Sequence, residues 1–118
     1  MRDLAATFKA LSDETRLRML WLLMSHAELC VCDFMVVLGI SQSKASRHLR
    51  TLFRAGLVED RRDGLWNHYK LRRSTNDLVS TQLRALRKAL VTRDESRALL
   101  ESLETWLASK QCPPAPSR

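Results

Sequence analysis

The side chains best suited to chemistry are three cysteines, Cys30, Cys32 and Cys112. The first two lie in the run Glu28-Leu29-Cys30-Val31-Cys32-Asp33. Thiolates are soft ligands that select soft or borderline ions. In extended backbone, residues i and i+2 point to the same side, so two thiolates can share one ion; in a regular helix they diverge. Closing such a chelate at the start of a helix therefore requires that helix to bend or unwind. A helix N-terminus also favours the thiolate form. The plainer alternatives are two small buried hydrophobes or a redox pair closing a strained ring. Cys112 stands beside Pro113 and Pro114, in a Pro-rich tail over 111–118 expected to be flexible. On its own it reads as a free tail thiol. His68 shows no partner in sequence and reads as a surface or ribbon histidine.

No nucleophile–base–acid set, phosphate loop or metalloprotease pattern is present, which argues against an enzyme and against an organic cofactor. An odd number of cysteines argues against a disulfide framework. No stretch of about 18 apolar residues occurs, so no membrane span is expected. The N-terminal residues lack an apolar run with a small-residue cleavage site. The expected compartment is the cytoplasm, where thiols stay reduced.

Charge points to a partner. Net charge is +7 over 118 residues. Residues 41–73 hold nine Lys or Arg and three acidic residues, a net of +6, whereas the rest holds eleven basic and ten acidic, a net of +1. A concentrated positive surface attracts a polyanion and releases its counterions.

The elements that must position these residues follow from periodicity and caps. Leu4, Phe8 and Leu11 predict a first helix over 4–11. Ser12 or Asp13 caps a second, with Leu17, Leu20, Trp21 and Met24 as its apolar positions and Arg16 and Arg18 on its polar side. Cys32, Met35, Val36 and Leu38 predict a third helix starting near Val31 or Cys32. Gly39 ends it and Ile40 plugs the turn. Ser41 caps a fourth helix running to about Ala55, with an inward stripe of Ala45, Leu49, Leu52 and Phe53. Beyond Gly56 the period changes. Leu57 and Val58 open a strand, Arg61-Arg62-Asp63-Gly64 form a tip, and Trp66 to Leu71 return. Two more helices are expected over 77–91 and 95–109. The fold class is mostly α: a winged helix-turn-helix of about five to six helices plus a two-stranded β-hairpin wing. Residues 1–110 form one DNA-binding and dimerisation domain.

In such a unit the second helix of the turn enters the major groove, and its N-terminal part reaches base edges. The expected DNA contacts are Ser41, Gln42, Ser43, Lys44, Ser46, Arg47, His48 and Arg50. Gln42, Ser43, Ser46 and Arg47 face bases, while Lys44, His48, Arg50 and Arg54 equally suit phosphates. Arg61, Arg62 and Gly64 of the hairpin reach an adjacent minor groove or backbone.

Three ordered motifs carry a family likeness. Leu11-Ser12-Asp13-Glu14-Thr15-Arg16-Leu17-Arg18 resembles the opening signature of the ArsR/SmtB family of metal-sensing repressors. Ser41 to Leu49 resembles its recognition helix, and Ala55-Gly56-Leu57-Val58 with Arg62-Asp63-Gly64 its entry into the wing. Glu28 to Asp33 resembles the inducer motif of the arsenical-resistance branch. The likeness covers about residues 4–90. It implies a homodimer, joined through its first and last helices, that binds double-stranded operator DNA in the apo form and leaves it when As(III) or Sb(III) binds Cys30 and Cys32. Where well-known members of the branch have a third cysteine, this chain has Met35, a weak thioether donor. A three-sulfur site would then need Cys112, the remaining thiol, which is either such a third donor, folding back within its own chain or across the dimer, or a free tail thiol. Sensing of Cd, Pb, Zn or Cu, of an alkylated arsenical, or of redox state stays open. The His and carboxylate cluster of the zinc-sensing branch is missing from 77–91, which contains Asp77 but no His.

Overall fold

The computed structural model describes residues 1–73 and 76–110. Six helices and three strands follow in the order α1 (Arg2–Leu11), α2 (Glu14–Ser25), β1 (Leu29–Cys30), α3 (Val31–Leu38), α4 (Gln42–Arg54), β2 (Val58–Asp63), β3 (Trp66–Leu71), α5 (Asp77–Val91) and α6 (Asp94–Ala108). This is the winged helix-turn-helix architecture: α3, a turn, α4 and a β-hairpin. No described helix is long and apolar enough to cross a membrane. The tail with Cys112 lies outside the described residues.

The helix ends are set by local chemistry. Asp13 caps α2 by accepting the Arg16 backbone N–H at 3.0 Å. Ser41 caps α4 by accepting the Lys44 N–H at 3.1 Å. Each such cap contributes about 1 kcal/mol. Gly39 ends α3 at φ 64°, the left-handed conformation that side chains other than glycine resist. Its turn aims α4 away from α3, and Ile40 packs against the core from that turn.

The helix α2 runs through the centre of the molecule. Beyond the expected Leu20 and Trp21, it buries Met19, Leu22 and Leu23, so its apolar surface is wider than one stripe. Trp21 Nε1 donates to the Ser96 carbonyl at 2.8 Å and Arg18 pairs with Glu95 at 2.8 Å, which docks α6 on α2. Phe34, Leu49, Leu52, Leu57 and Val58 complete the core from α3, α4 and the hairpin base.

Two sequence expectations are corrected and a third, the hairpin, is extended by one strand. The inward stripe of α4 is Ala45, His48, Leu49 and Leu52; Phe53 lies 44% exposed on the helix flank. The hairpin tip is Gly64-Leu65, because Asp63 pairs with Trp66, so Arg61 and Arg62 belong to β2. With positive φ at Gly64 alone, the two-residue loop follows the pattern that takes glycine first. The sheet has three strands in the order β1-β3-β2, since Leu29 and Cys30 pair antiparallel with Tyr69 and His68.

Candidate functional site

The exposed residues of α4 form one polar face. Ser43, Arg47, Arg50 and Arg54 recur at spacings of four and three, opposite the buried stripe, and all are exposed. Gln42 is also exposed and Ser46 is half-buried, on one flank, with exposed Lys44 on the other. Ser41 is exposed, with its hydroxyl occupied by the cap. Among the described residues of α4's polar face no acidic side chain occurs, so the face is uniformly positive.

His48 differs from the other expected contacts. It is 9% exposed, and its Nδ1 lies 3.0 Å from Arg16 Nη1 and 3.8 Å from Asp13 Oδ2. Burial pushes its pKa below the ordinary histidine value, with the Arg16, Arg47 and Lys44 charges acting the same way and Asp13 opposing them. Arg16 also donates to the carbonyls of Ala10 at 2.8 Å and Lys9 at 3.1 Å. It thereby satisfies the end of α1, where carbonyls lack helical partners, and ties α1 and α2 to α4. This role was hidden from the sequence, where Arg16 reads as a polar-side residue.

The hairpin adds two arginines of different standing. Arg61 makes a two-point ion pair with Glu28, at 2.6 and 3.2 Å. That hydrogen bond is the main reason the Glu28 carboxyl lies below its usual range. Arg62 follows on the exposed part of β2, and Gly64 is at the tip.

The thiol pair sits at the junction of these parts. Cys30 is the N-cap of α3, in extended backbone, and Cys32 lies in the first turn. The pair therefore straddles the strand-to-helix boundary. Both are buried, at 3% and 1% exposed. Asp33 closes a capping box, its Oδ2 accepting the Cys30 N–H at 2.7 Å. Its Oδ1 accepts from Trp106 Nε1 at 2.8 Å and lies 3.0 Å from Lys110 Nζ. Met35 is partly buried against the core. His68 pairs in register with Cys30, its Nδ1 3.7 Å from Glu28. Among the described residues no group of three or more His, Cys, Asp or Glu side chains is gathered to hold a metal ion. Two soft donors suit a thiophilic ion but do not by themselves complete a three-coordinate site.

A sequence profile described as "Bacterial regulatory protein, arsR family" matches residues 13–60. The HlyU structure from Vibrio cholerae is 31% identical with a TM-score of 0.64, covering 75% of this chain and 91% of that one. This chain belongs to the ArsR family. The arsenical resistance operon repressor of Escherichia coli K12 is 53% identical over 64 residues, which is 54% of this chain and 55% of that protein. A cadmium resistance regulatory protein CadC homolog of Staphylococcus aureus is 42% identical over 69 residues, 58% of this chain and 57% of its own length. The chain thus spans little more than half of these two curated relatives. The matched profile runs from the Asp13 cap of α2 through α4 into β2, so it contains the thiol pair, the turn and the polar face together.

Proposed function

We propose that this ArsR-family chain is a repressor that binds operator DNA as a homodimer and releases it when As(III) or Sb(III) binds the Cys30 and Cys32 thiolates. The observation that carries this reading is the position of the pair. Cys30 is at once the cap of α3, the helix before the turn, and a partner of wing strand β3. A ligand that draws the two thiolates together must deform this cap, and the deformation reaches both the α3–α4 turn and the wing. Affinity for DNA then falls because the ligand and the operator favour different arrangements of one element.

In this reading Gln42, Ser43, Ser46 and Arg47 meet base edges, and Lys44, Arg50, Arg54 and Arg62 meet phosphates. His48 serves instead to position α4 through Arg16. The dimer forms through α1 and the last helices. Phe8 is 51% and Leu4 38% exposed on α1, and Phe8 and Leu11 line a groove with Leu17, Ala85 and Leu86 of α2 and α5. Exposed side chains of this size on a small domain suit a partner surface.

The test is a titration of operator-bound protein with arsenite, antimonite, cadmium, lead and zinc. Release by arsenite and antimonite at the lowest concentrations, lost in the C30S/C32S variant, is expected. Release by none of the five would overturn the reading. Release by cadmium, lead or zinc alone would favour the second reading, a sensor of a divalent thiophilic ion, which the likeness to a cadmium-resistance regulator supports.

A further inference from the structure

Two tryptophans fasten the last helix, and they do so in different ways. Near its start, Trp21 Nε1 donates to the Ser96 backbone carbonyl at 2.8 Å, a bond between two helices that the thiol motif does not enter. Near its end, Trp106 Nε1 donates to Asp33 Oδ1 at 2.8 Å, and Lys110 Nζ lies 3.0 Å from the same oxygen. Asp33 is 1% exposed and directly follows Cys32. Its other oxygen, Oδ2, accepts the Cys30 N–H at 2.7 Å and closes the capping box of α3. One carboxylate thus joins the thiol pair to the end of α6. A buried carboxylate is costly unless its partners stay in place, so the three contacts support one another.

We propose that Asp33 couples the inducer site to the last helix, a role that rests on the arsenite reading above. With the thiols free, Asp33 clasps the end of α6 to α3; closing the thiol pair opens the clasp. Cys30 has extended backbone at the cap, with φ −83° and ψ 156°, while Cys32 is already in the helix. A shared ion is reached by rearranging this first turn, which carries the Cys30 N–H away from Asp33. The carboxylate is one rigid plane, so turning Oδ2 turns Oδ1 with it and loosens the Trp106 and Lys110 contacts. The end of α6 belongs to the surface proposed to join the protomers, so its release changes the spacing of the two recognition helices. Asp33, Trp106 and Lys110 are positioning residues, and none of them touches the ion.

The covalent step needs no oxidant. Arsenite, As(OH)3, condenses with the two thiols: two As–S bonds form, two As–O bonds break, and each thiol proton leaves with a hydroxyl as water. The clasp is closed in the operator-binding arrangement and open in the arsenite-binding one. Weakening it by substitution therefore biases the free protein toward the second arrangement. Arsenite then binds more tightly and operator more weakly. A side chain that merely stabilised the fold would weaken operator binding without tightening arsenite binding.

The experiment compares the full-length wild type with W106F and K110M. Calorimetric titration reads arsenite affinity of the free protein, anisotropy of a labelled duplex reads operator affinity, and tryptophan emission reads the state of the clasp. Arsenite should shift the wild-type emission to the red as the Trp106 indole leaves Asp33 for water, and W106F should lose that shift. Free W106F and K110M should bind arsenite about tenfold more tightly and operator several-fold more weakly, a coupling of ordinary size, while both still melt cooperatively. An equal emission shift in W106F and wild type would overturn the clasp and leave the arsenite reading in place. Arsenite affinity unchanged or lowered in both variants would do the same. Arsenite binding that is absent, or that survives C30S/C32S, would overturn the arsenite reading and the clasp with it.

Discussion

The Arg16 guanidinium donates to His48 Nδ1 at 3.0 Å, so that nitrogen must be an acceptor in the fold. Protonating it would remove the acceptor and set two positive charges together, with Arg47 and Lys44 on the same side of the balance and Asp13 against it. Because the folded pKa lies below the ordinary 6.5, the stability held by neutral His48 is complete above 6.5. It is lost as pH falls from there through the folded value. Thermal melts between pH 8 and 5 should show a falling Tm below 6.5, with a shallower fall in H48Q. Asp13 answers in another window. Burial raises its pKa, but the Arg16 N–H and charge hold it lower overall, so its contribution is lost only below about 3.8. An equal slope in wild type and H48Q would show that His48 is not the titrating group.

The pairing of His48 with Arg16 also marks where sequence reading ends. Caps and turns are written in residue types: Asp13, Gly39, Ser41 and Gly56 each announce a boundary that the fold keeps to within a residue or two. The choice between His48 and Phe53 for the inside of α4 is not so written. Both lie near the apolar stripe, and hydropathy favours Phe53. The balance is tipped by a partner 32 residues away, which satisfies the buried imidazole. The thiol motif shows the same divide. Its donors are legible as a Cys-x-Cys run, but Asp33 bonds to a tryptophan 73 residues on. The two-residue strand β1 exists only because β3 lies alongside it. A strand so short has no periodicity of its own.

Gly39 sets the direction of the turn, and its value is torsional. A Cβ added there meets nothing within 4 Å, so no clash is involved. Gly39→Ala should destabilise by about 1 kcal/mol, or roughly 4 °C in Tm, from the left-handed backbone alone. Gly39→Asn should cost less, since Asn tolerates that conformation better. Equal melting of G39A and wild type would mean the turn adopts another backbone.

Phe8 tests the proposed dimer. Half its surface is exposed on α1, where a water-facing aromatic gains little. Phe8→Glu should leave the monomer fold intact by circular dichroism and shift sedimentation from dimer to monomer at micromolar concentration. Operator affinity should fall with it, because two half-sites are then bound independently. A variant that remains dimeric would move the interface away from α1.

The wing arginines should separate by salt dependence. Each phosphate contact adds about one to the slope of log affinity against log salt. Arg62 lies on the exposed part of β2, and Arg62→Gln should flatten the slope by about 1 and weaken binding uniformly across sequences. Arg61 is already neutralised by Glu28 at 2.6 Å, so Arg61→Gln should change the slope less. The reciprocal variant decides the matter. Glu28→Gln frees the Arg61 guanidinium and should steepen the slope, whereas Gln42→Ala, on the proposed base-reading flank, should leave the slope alone and relax sequence preference by about 1–3 kcal/mol at one position. If Glu28→Gln leaves the slope where it was, Arg61 does not reach the DNA backbone even when released, and its bond to Glu28 serves only to hold the wing against the strand that carries Cys30.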